Sequence, residues 1–253
     1  MEGTAVLGRV TWRTASVVRL RDETTTARTL ALEVHDWPGH VAGQHVDVRL
    51  TAADGYSAVR SYSIASAPSA DGLIEITVER LPDGEVSPYL TQQVTVGDEL
   101  ELRGPIGGWF VWRPEQVGPI QLVAGGSGIV PLMAMIRSHV SVDSTVPFRL
   151  LYSVREPGAI FYRDELRALS NRGASLVVTY AYTRVTPKGW PRPAGRIDRE
   201  LIANRTWPST HQPSSYVCGP TSFVEHAADL LIATGHDRDR IRTERFGATG
   251  ERK

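Results

Sequence analysis

Residues 60–66, Arg-Ser-Tyr-Ser-Ile-Ala-Ser, place a cation, an aromatic ring and three serine hydroxyls in one short segment. In a β-strand, successive side chains point to opposite faces, so Arg60 and Tyr62 would share one face and Ser61 and Ser63 the other. Such a strand can offer a guanidinium to a phosphate, a flat ring to a planar ligand and hydroxyls to ring heteroatoms. Taken alone, the segment is better explained as an edge strand with a solvated arginine, because short motifs often match by chance.

A glycine-rich loop follows an apolar run further along the chain, where residues 122–131 read Leu-Val-Ala-Gly-Gly-Ser-Gly-Ile-Val-Pro. Glycines at a strand-to-helix junction let backbone N–H groups approach a pyrophosphate, and the start of the helix adds a partial positive charge. Pro131 suits the first helical turn, where its missing N–H costs nothing. A tight turn without a ligand is the alternative, since the loop lacks the GxGxxG spacing.

A second junction of this kind is found at residues 216–220, Tyr-Val-Cys-Gly-Pro. It would lie at the carboxyl end of a later strand, where sheets of this class bind ligands. A small side chain followed by Gly-Pro leaves a gap wide enough for a flat ring. The alternative is that Cys218 is a buried structural cysteine, as most lone cysteines are.

The elements that would position these segments fall into two halves. Short strands separated by turn signals are typical of an antiparallel barrel or sandwich, and they are predicted over residues 6–18, 27–34, 45–50, 58–64, 73–80 and 99–103, with one helix over 85–94. From residue 119 strands and helices alternate, which indicates a parallel, doubly wound α/β domain. There the strands are predicted over 120–124, 148–154, 175–182, 216–218 and 241–246, and the helices over 131–139, 162–171, 198–203 and 221–234.

Composition excludes several classes of function. The 253 residues include 28 Lys and Arg against 28 Asp and Glu, so no global charge favours nucleic acid or a membrane surface. The longest apolar run, residues 122–136, is broken by glycines and a proline and is too short to span a bilayer, and no signal peptide is visible. Cys218 is the only cysteine, and the seven histidines lack metal-site spacing. We therefore expect a cytoplasmic protein with no metal site, no membrane segment and no nucleic-acid partner.

The three segments together, in this order and spacing, resemble the ferredoxin–NADP reductase family, and most closely the reductase components of bacterial oxygenase systems. The resemblance covers nearly the whole chain. It implies an FAD-binding antiparallel β-barrel over residues 1–113 and an NAD(P)-binding α/β domain over 114–253, in agreement with the pattern of strands and helices.

The resemblance also implies a role for each matching residue. Arg60 would bind the flavin pyrophosphate, Tyr62 would pack on the isoalloxazine, and Ser63 would lie near flavin N5. A second flavin segment, in which backbone groups hold the pyrophosphate, would comprise Thr77, Val78, Gly84, Glu85, Val86 and Ser87. The nicotinamide dinucleotide would contact Gly125, Gly126, Ser127, Gly128, Pro131, Cys218, Gly219 and Pro220. The family's C-terminal segment, here residues 244–247, would set Glu244 and Phe246 beside the flavin, and the expected catalytic residues are Ser63, Cys218 and Glu244.

The choice of coenzyme is indicated by the end of the predicted strand 148–154. Ser153 and Arg155 lie two residues apart, hence on one face of a strand, and together offer a hydroxyl and a fork of donors. Arginine at this position suits the 2′-phosphate of NADPH, which we therefore expect over NADH. Glu156 follows at once and could repel that phosphate, and Arg155 could instead pair on the surface with Glu156 or Asp164.

The predicted function is transfer of hydride from NAD(P)H to FAD, followed by release of single electrons. One cysteine leaves no ligands for an iron–sulfur cluster in this chain, so we expect a separate acceptor, either a ferredoxin or an oxygenase component, and a monomeric reductase. A reductase of small acceptors such as free flavins, quinones or ferric complexes is the main alternative. The other alternative is a module that has a regulatory or assembly role and no reductase activity.

Overall fold

The computed structural model describes residues 11–69, 71–172 and 175–246 of the chain. Its strands form two sheets, an antiparallel one of six strands and a parallel one of five. Each sheet belongs to one half of the chain. The predicted fold class, a β-barrel followed by an α/β domain, is therefore confirmed.

The N-terminal sheet closes on itself to form a barrel with one opening. Its elements are β1 (Trp12–Thr24), β2 (Ala27–Val34), β3 (His45–Thr51), β4 (Ser57–Ser63), β5 (Leu73–Glu79), helix α1 (Val86–Gln92) and β6 (Glu99–Ile106). The strand order is β4-β3-β6-β1-β2-β5, and inward-facing apolar side chains form one core. The two end strands, β4 and β5, are joined at the bridge between Ile64 and Ile76. Away from this bridge the strands β4 and β5 separate, and the gap between them is called the barrel opening below. Helix α1 packs against both strands.

The C-terminal sheet has a reversal of strand order that marks a ligand site. Its elements are β7 (Ile120–Gly125), α2 (Ile129–Ser141), β8 (Phe148–Val154), α3 (Arg163–Asn171), β9 (Leu176–Tyr182), α4 (Arg199–Arg205), β10 (Ser214–Pro220), α5 (Thr221–Ala233) and β11 (Ile241–Phe246). The order is β11-β10-β7-β8-β9, so the chain leaves β7 on one side and returns on the other at β10. Ligands of such sheets bind at this switch point, between the carboxyl ends of β7 and β10. Within the described ranges, no helix has the length and apolarity needed to cross a bilayer.

Several element bounds differ from the prediction because strand pairing, not local sequence, fixes them. β1 runs from Trp12 to Thr24 instead of over 6–18, since its charged second half pairs with β2 as far as Ala27; residues 6–10 lie outside the described part. β6 and β10 are both longer than predicted, because each pairs with two neighbours. α2 begins at Ile129, two residues before Pro131, which leaves the proline inside the first turn.

Candidate active site

Three side chains from the two sheets meet at the boundary between the domains. Ser63, the last residue of β4, is buried, and its Oγ donates a hydrogen bond to Oε1 of Glu244 at 3.3 Å. Glu244 lies in β11, paired in register with Cys218 of β10, whose side chain is fully buried. The structure therefore brings together the three residues that the sequence indicated as catalytic.

Burial controls how these groups titrate. It raises the pKa of Glu244 to about 7, and the hydrogen bond from Ser63 opposes that rise only in part. Burial also raises the pKa of the Cys218 thiol, and the nearby Glu244 carboxylate adds to the effect. Near neutral pH the three side chains are thus a neutral thiol, a hydroxyl donor and a carboxyl that can gain or lose a proton. This set suits a neutral planar ring that exchanges a proton at its edge.

The side chains of β4 alternate between its two faces. Tyr62 packs against the barrel core, where burial raises the pKa of its phenol, and Arg60 is exposed at the rim of the same face. Ser61 points the other way, and its Oγ donates to Oδ1 of Asp47 at 2.6 Å. Asp47 also accepts a hydrogen bond of 2.6 Å from Arg103. Arg60 and Tyr62 can therefore face a ligand in the barrel opening, whereas the Ser61 hydroxyl is already engaged.

An acidic side chain lies beside Arg60. Nη2 of Arg60 is 3.5 Å from Oε2 of Glu85, and the hydroxyl of Tyr56 donates to the same oxygen at 3.2 Å. Glu85 immediately precedes α1, and all three side chains are more than half exposed. A phosphate that binds Arg60 would therefore compete with a nearby carboxylate.

The remaining residues around α1 offer backbone rather than side chains. Val86 is buried in the barrel core, and Oγ of Ser87 accepts a hydrogen bond from the N–H of Leu81 at 3.0 Å. A Cβ added at Gly84 would lie 2.9 Å from that same oxygen, so glycine is needed for the backbone to come this close to the Ser87 side chain. A flavin would reach this segment through N–H and C=O groups, as the resemblance implies.

Thr77 and Val78 have side chains that lie away from the barrel opening. Val78 is fully buried in the barrel core. Oγ1 of Thr77 lies 2.7 Å from Oγ1 of Thr29 and accepts a hydrogen bond from the hydroxyl of Tyr162, which belongs to the α/β domain. The Thr77 side chain therefore contributes to the interface between the domains, and only the backbone of these two residues is available to a flavin.

In the glycine loop after β7, Gly125 and Gly128 are closely packed against neighbouring atoms, whereas Gly126 faces open space. A Cβ at Gly128 would lie 2.1 Å from the carbonyl oxygen of Cys218, and a Cβ at Gly125 would lie 2.5 Å from the ring of Phe223. Both positions therefore require glycine, Gly128 for the loop to pack on β10 and Gly125 for the end of β7 to pack on Phe223 of α5. Gly126 has a positive φ of 55°, and a Cβ added there would meet no atom within 4 Å, so its backbone faces open space at the start of α2.

Ser153 and Arg155 lie on the other side of β7. Ser153 is buried in β8 and paired in register with Gly125 of the loop. Arg155 is exposed, forms no ion pair within the described residues, and its carbonyl accepts hydrogen bonds from the N–H groups of Arg184 and Val185 at 2.9 and 3.0 Å. Neither Glu156 nor Asp164 pairs with it in the described structure, and Asp164 lies 3.5 Å from Arg167 instead.

The segment after Cys218 and the end of β11 lie together. Gly219 is buried, and a Cβ added to it would lie 3.1 Å from the Cα of Gly125, whereas Pro220 is exposed and paired in register with Phe246. The ring of Phe246 is partly buried and packs against the core of the α/β domain. Residue 247, the last of the segment that the sequence indicated, lies outside the described residues.

Sequence reasoning missed a group of charged and polar residues in the interface between the domains. Arg137 of α2 donates to Glu75 of β5 at 2.9 Å and to Glu165 of α3 at 2.7 Å. Tyr162 donates its backbone N–H to Oε2 of Glu23 at 2.9 Å. A signal was present, since Arg137 directly follows eight residues, 129–136, that are all apolar.

Two family models match the chain. The model described as oxidoreductase FAD-binding domain matches residues 20–111, and the one described as oxidoreductase NAD-binding domain matches residues 122–229. The first range covers the barrel from within β1 onwards, and the second includes the switch point. The chain belongs to the ferredoxin–NADP reductase family. As a member of that family, it is an FAD- and NAD-binding oxidoreductase.

Known members of the family are similar to this reductase along most of its length. The reductase subunit of glycine betaine monooxygenase from Chromohalobacter salexigens is 31% identical over 209 residues, which are 82% of this chain and 56% of that protein. The chain thus spans little more than half the length of the curated relative. The solved ferredoxin reductase in carbazole 1,9a-dioxygenase has a TM-score of 0.79 and 26% identity, over 94% of this chain and 70% of that one. An Amycolatopsis cytochrome P450 reductase has a TM-score of 0.81 and 25% identity, over 96% and 73%.

The residues of the reductase fit both cofactors of its family. The barrel opening combines an exposed guanidinium, the ring of Tyr62 and the backbone of the segment before α1, as an FAD with its pyrophosphate requires. The glycine loop presents Gly126 to open space at the start of α2, a helix of 13 residues, as a dinucleotide pyrophosphate requires. Ser63, Glu244 and Cys218 lie between these two places.

Proposed function

We propose that this reductase transfers electrons from a nicotinamide nucleotide, through FAD, to a separate ferredoxin or oxygenase component. FAD supplies the central chemistry when it is bound, since it accepts a hydride and releases electrons one at a time. The observation that carries the proposal is the hydrogen bond from Ser63, in the barrel, to Glu244, which is paired in register with Cys218 in the α/β domain. This hydrogen bond joins the FAD-binding half of the chain to the NAD-binding half at one small group of polar atoms.

The barrel residues would bind and orient the flavin. Arg60 would neutralise its pyrophosphate with charge-assisted hydrogen bonds, and Tyr62 would cover one face of its ring. The Ser63 hydroxyl would donate a hydrogen bond at the edge of the ring. Glu244, with its pKa near 7, would hold or release the proton that accompanies a change in the charge of that edge.

The α/β residues would bind and orient the dinucleotide. The backbone of residues 125–128 and the start of α2 would hold its pyrophosphate, with Pro131 keeping the first turn in place. Cys218, Gly219 and Pro220 would border the nicotinamide, because their small side chains leave space at the end of β10. Ser153 and Arg155 would bind the 2′-phosphate of NADPH, and the exposed guanidinium of Arg155 supports this preference over NADH.

The proposed partner follows from the names of the similar proteins. One is the reductase subunit of a monooxygenase and another the ferredoxin reductase of a dioxygenase, so each is named as part of an oxygenase system. We propose that this chain likewise works with a separate protein that carries the cluster or haem. We further propose that it acts as a monomer in the cytoplasm, where the single thiol of Cys218 stays reduced.

Three measurements test this function. The chromophore of the purified protein, released by heat and chromatographed, should be FAD and not FMN. Anaerobic stopped-flow reduction should be faster with NADPH than with NADH. The reduced protein should pass electrons to a cluster-carrying ferredoxin faster than to free flavin, a quinone or ferric citrate. Equal or faster turnover with the small acceptors would favour a small-molecule reductase, and no reduction by either nucleotide would favour a regulatory module.

A further inference from the structure

Arg137 is a buried cation at the interface between the two domains. It lies in α2, and its side chain is 14% exposed. Its neighbours in the helix, Ile136 and Ser138, are both buried, so the guanidinium has left water for a place that must satisfy its charge. Burial works against its charge, but Glu165 and Glu75 outweigh that effect and raise the pKa of Arg137 further above its usual range.

Four hydrogen bonds from this guanidinium reach three other parts of the chain. Nε and Nη2 donate to the two carboxylate oxygens of Glu165 on α3 at 2.8 and 2.7 Å. Nη1 donates to Oε2 of Glu75 on β5 at 2.9 Å and to the carbonyl oxygen of Ala65 at 3.0 Å. Glu165 belongs to the α/β domain, whereas Glu75 and Ala65 belong to the barrel. The planar fork of arginine is therefore used on both sides of the interface at once.

Tyr162 forms a second connection beside the first. Its ring centroid lies 5.0 Å from the guanidinium carbon of Arg137. Its hydroxyl donates to Thr77 of β5, and its backbone N–H donates to Glu23 of β1 at 2.9 Å. Its backbone is left-handed, with a φ of 55°, an uncommon conformation for a bulky residue that the surrounding contacts hold in place. Both connections join the same two faces, α2 and α3 on one side and the barrel on the other.

The two ends of the Arg137 connection are tied to the two halves of the candidate active site. Ala65 lies two residues after Ser63, and its N–H donates to the carbonyl of Glu75 at 2.7 Å, so the end of β4 is fixed to β5. On the other side, α2 begins at Ile129, directly after the glycine loop. Arg137 lies eight residues into this rigid helix, about 12 Å from its start.

We propose that Arg137 is a positioning residue that sets the separation between the flavin edge at Ser63 and the dinucleotide loop at the start of α2. The proposal rests on the proposed function. Because the three N–H donors of lysine radiate from one nitrogen, lysine keeps the charge but cannot make the paired bonds to Glu165 together with both barrel contacts. Arg137→Gln loses the charge and leaves two carboxylates without their buried partner.

The matched control is Arg149 of β8, whose contacts remain inside one domain. Its Nη1 donates to the carbonyl of Thr206 at 2.7 Å, and its guanidinium lies 4.0 Å from the ring centroid of Trp207. Arg149→Gln therefore removes a comparable partly buried arginine without touching the interface between the domains. It should lower the melting temperature and leave hydride transfer unchanged.

The experiment uses FAD-loaded full-length protein and anaerobic stopped flow. In Arg137→Gln the limiting rate of flavin reduction should fall roughly tenfold or more, because a displacement of the order of 1 Å is enough for such losses. The long-wavelength charge-transfer absorbance formed with NADPH should weaken, while the flavin content and the Kd for NADPH stay as in wild type. Arg137→Lys should recover part of the rate. Glu165→Gln leaves the two contacts of Arg137 with the barrel in place, so the limiting rate should fall less. It replaces Arg137→Gln in the experiment if that variant does not fold.

A purely structural role gives a different result. If Arg137→Gln, or Glu165→Gln in its place, lowers the melting temperature as Arg149→Gln does but leaves the limiting rate and the charge-transfer band unchanged, the proposal is overturned. If neither nucleotide reduces the flavin of the wild-type protein, the proposed function has failed. Calorimetry then tests whether Arg137 couples the two domains. Wild type should then unfold in one transition and the Arg137 variant in two, whereas one transition in both overturns it.

Discussion

Ser63 and Glu244 are 181 residues apart in the chain, yet the Ser63 hydroxyl donates a hydrogen bond to the Glu244 carboxyl at 3.3 Å. Ser63 ends a strand of the barrel, and Glu244 lies in the edge strand of the parallel sheet. The bond therefore exists only when the two domains are in contact at this place. The titration of Glu244 consequently reports on the interface as well as on the site.

Glu244→Gln should change how stability depends on pH. The folded pKa of about 7 lies above the ordinary value of 4.5, so the neutral form is favoured by folding. That contribution is fully present below pH 4.5 and is lost as the pH rises through 7. Wild type and Glu244→Gln should thus have similar free energies of unfolding at acid pH, and the variant should be more stable at alkaline pH by about 3 kcal/mol. Urea unfolding at several pH values measures this difference, and parallel curves would contradict it.

Cys218→Ala should slow flavin reduction and leave folding nearly intact. The thiol is buried at the end of β10, between the glycine loop and Glu244, where we propose that it borders the nicotinamide. Ser215 of the same strand is a matched control, since it is equally buried and its Oγ has no hydrogen-bond partner among the described residues. Ser215→Ala should leave the rate unchanged and raise the free energy of unfolding by about 1 kcal/mol. Stopped flow beside a thermal melt separates the two, and a normal rate in a destabilised Cys218→Ala would assign a structural role to the thiol.

Glu85→Gln should tighten the binding of FAD, whereas Arg60→Ala should weaken it. The Glu85 carboxylate lies 3.5 Å from the Arg60 guanidinium and competes with a phosphate for it. Because both side chains are exposed, the gain should be a few-fold in Kd, corresponding to about 0.5–1 kcal/mol. Arg60→Ala should cost about tenfold or more, since a charge-assisted bond is lost. Fluorescence titration of flavin-free protein gives each Kd.

Salt provides the check on the Glu85 prediction. The advantage of Glu85→Gln arises from removal of a charge repelled by phosphate, so it should shrink as ionic strength rises. A Glu85→Gln protein that binds FAD more weakly than wild type would mean that the carboxylate supports the site instead of competing for it.

Arg155→Ala should reduce the preference for NADPH. Its guanidinium is exposed and unpaired among the described residues, near the end of β8, and we propose that it binds the 2′-phosphate. The KM for NADPH should rise roughly tenfold or more, with little change for NADH, because only one coenzyme carries that charge. Arg167, an exposed arginine on α3 that pairs with Asp164, is the control and should have no effect as Ala. A better rate with NADH in wild type, or equal losses with both coenzymes in Arg155→Ala, would exclude this role.

Much of the fold follows from patterns that are local in the chain. Short strands with turn signals predicted an antiparallel barrel or sandwich, and the resemblance decided for the barrel. The apolar run before the glycine loop predicted β7, because a strand covered on both faces is largely apolar. The alternation of side chains along a strand predicted that Tyr62 and Ser61 lie on opposite faces of β4, as their contacts in the structure show. The choice of Ser63, Cys218 and Glu244 as catalytic residues came from the resemblance to the family and not from these patterns.

Other features depend on partners that no local pattern reveals. The end of β1 at Thr24 is set by pairing with β2, although the residues there are charged. The Thr77 side chain lies in the domain interface because Tyr162 reaches it from a position 85 residues later, just before α3. The approach of Glu85 to Arg60 likewise depends on how the loop before α1 crosses the barrel opening. Such contacts are fixed by the packing of whole elements, and a sequence pattern of one element does not contain them.

The position of Glu244 in the chain has a consequence for the order of events during synthesis. The six strands of the barrel are contiguous, so the arginine and serine of the barrel opening leave the ribosome together. The glycine loop follows, and the strand that carries Glu244 emerges only after the other ten strands of the described structure. A nascent chain can thus form its flavin-binding half while the carboxyl that bonds to Ser63 is still unmade. Under the function we propose, a nascent chain can therefore bind its flavin before it can transfer electrons, because Glu244 arrives with the last strand of the described structure.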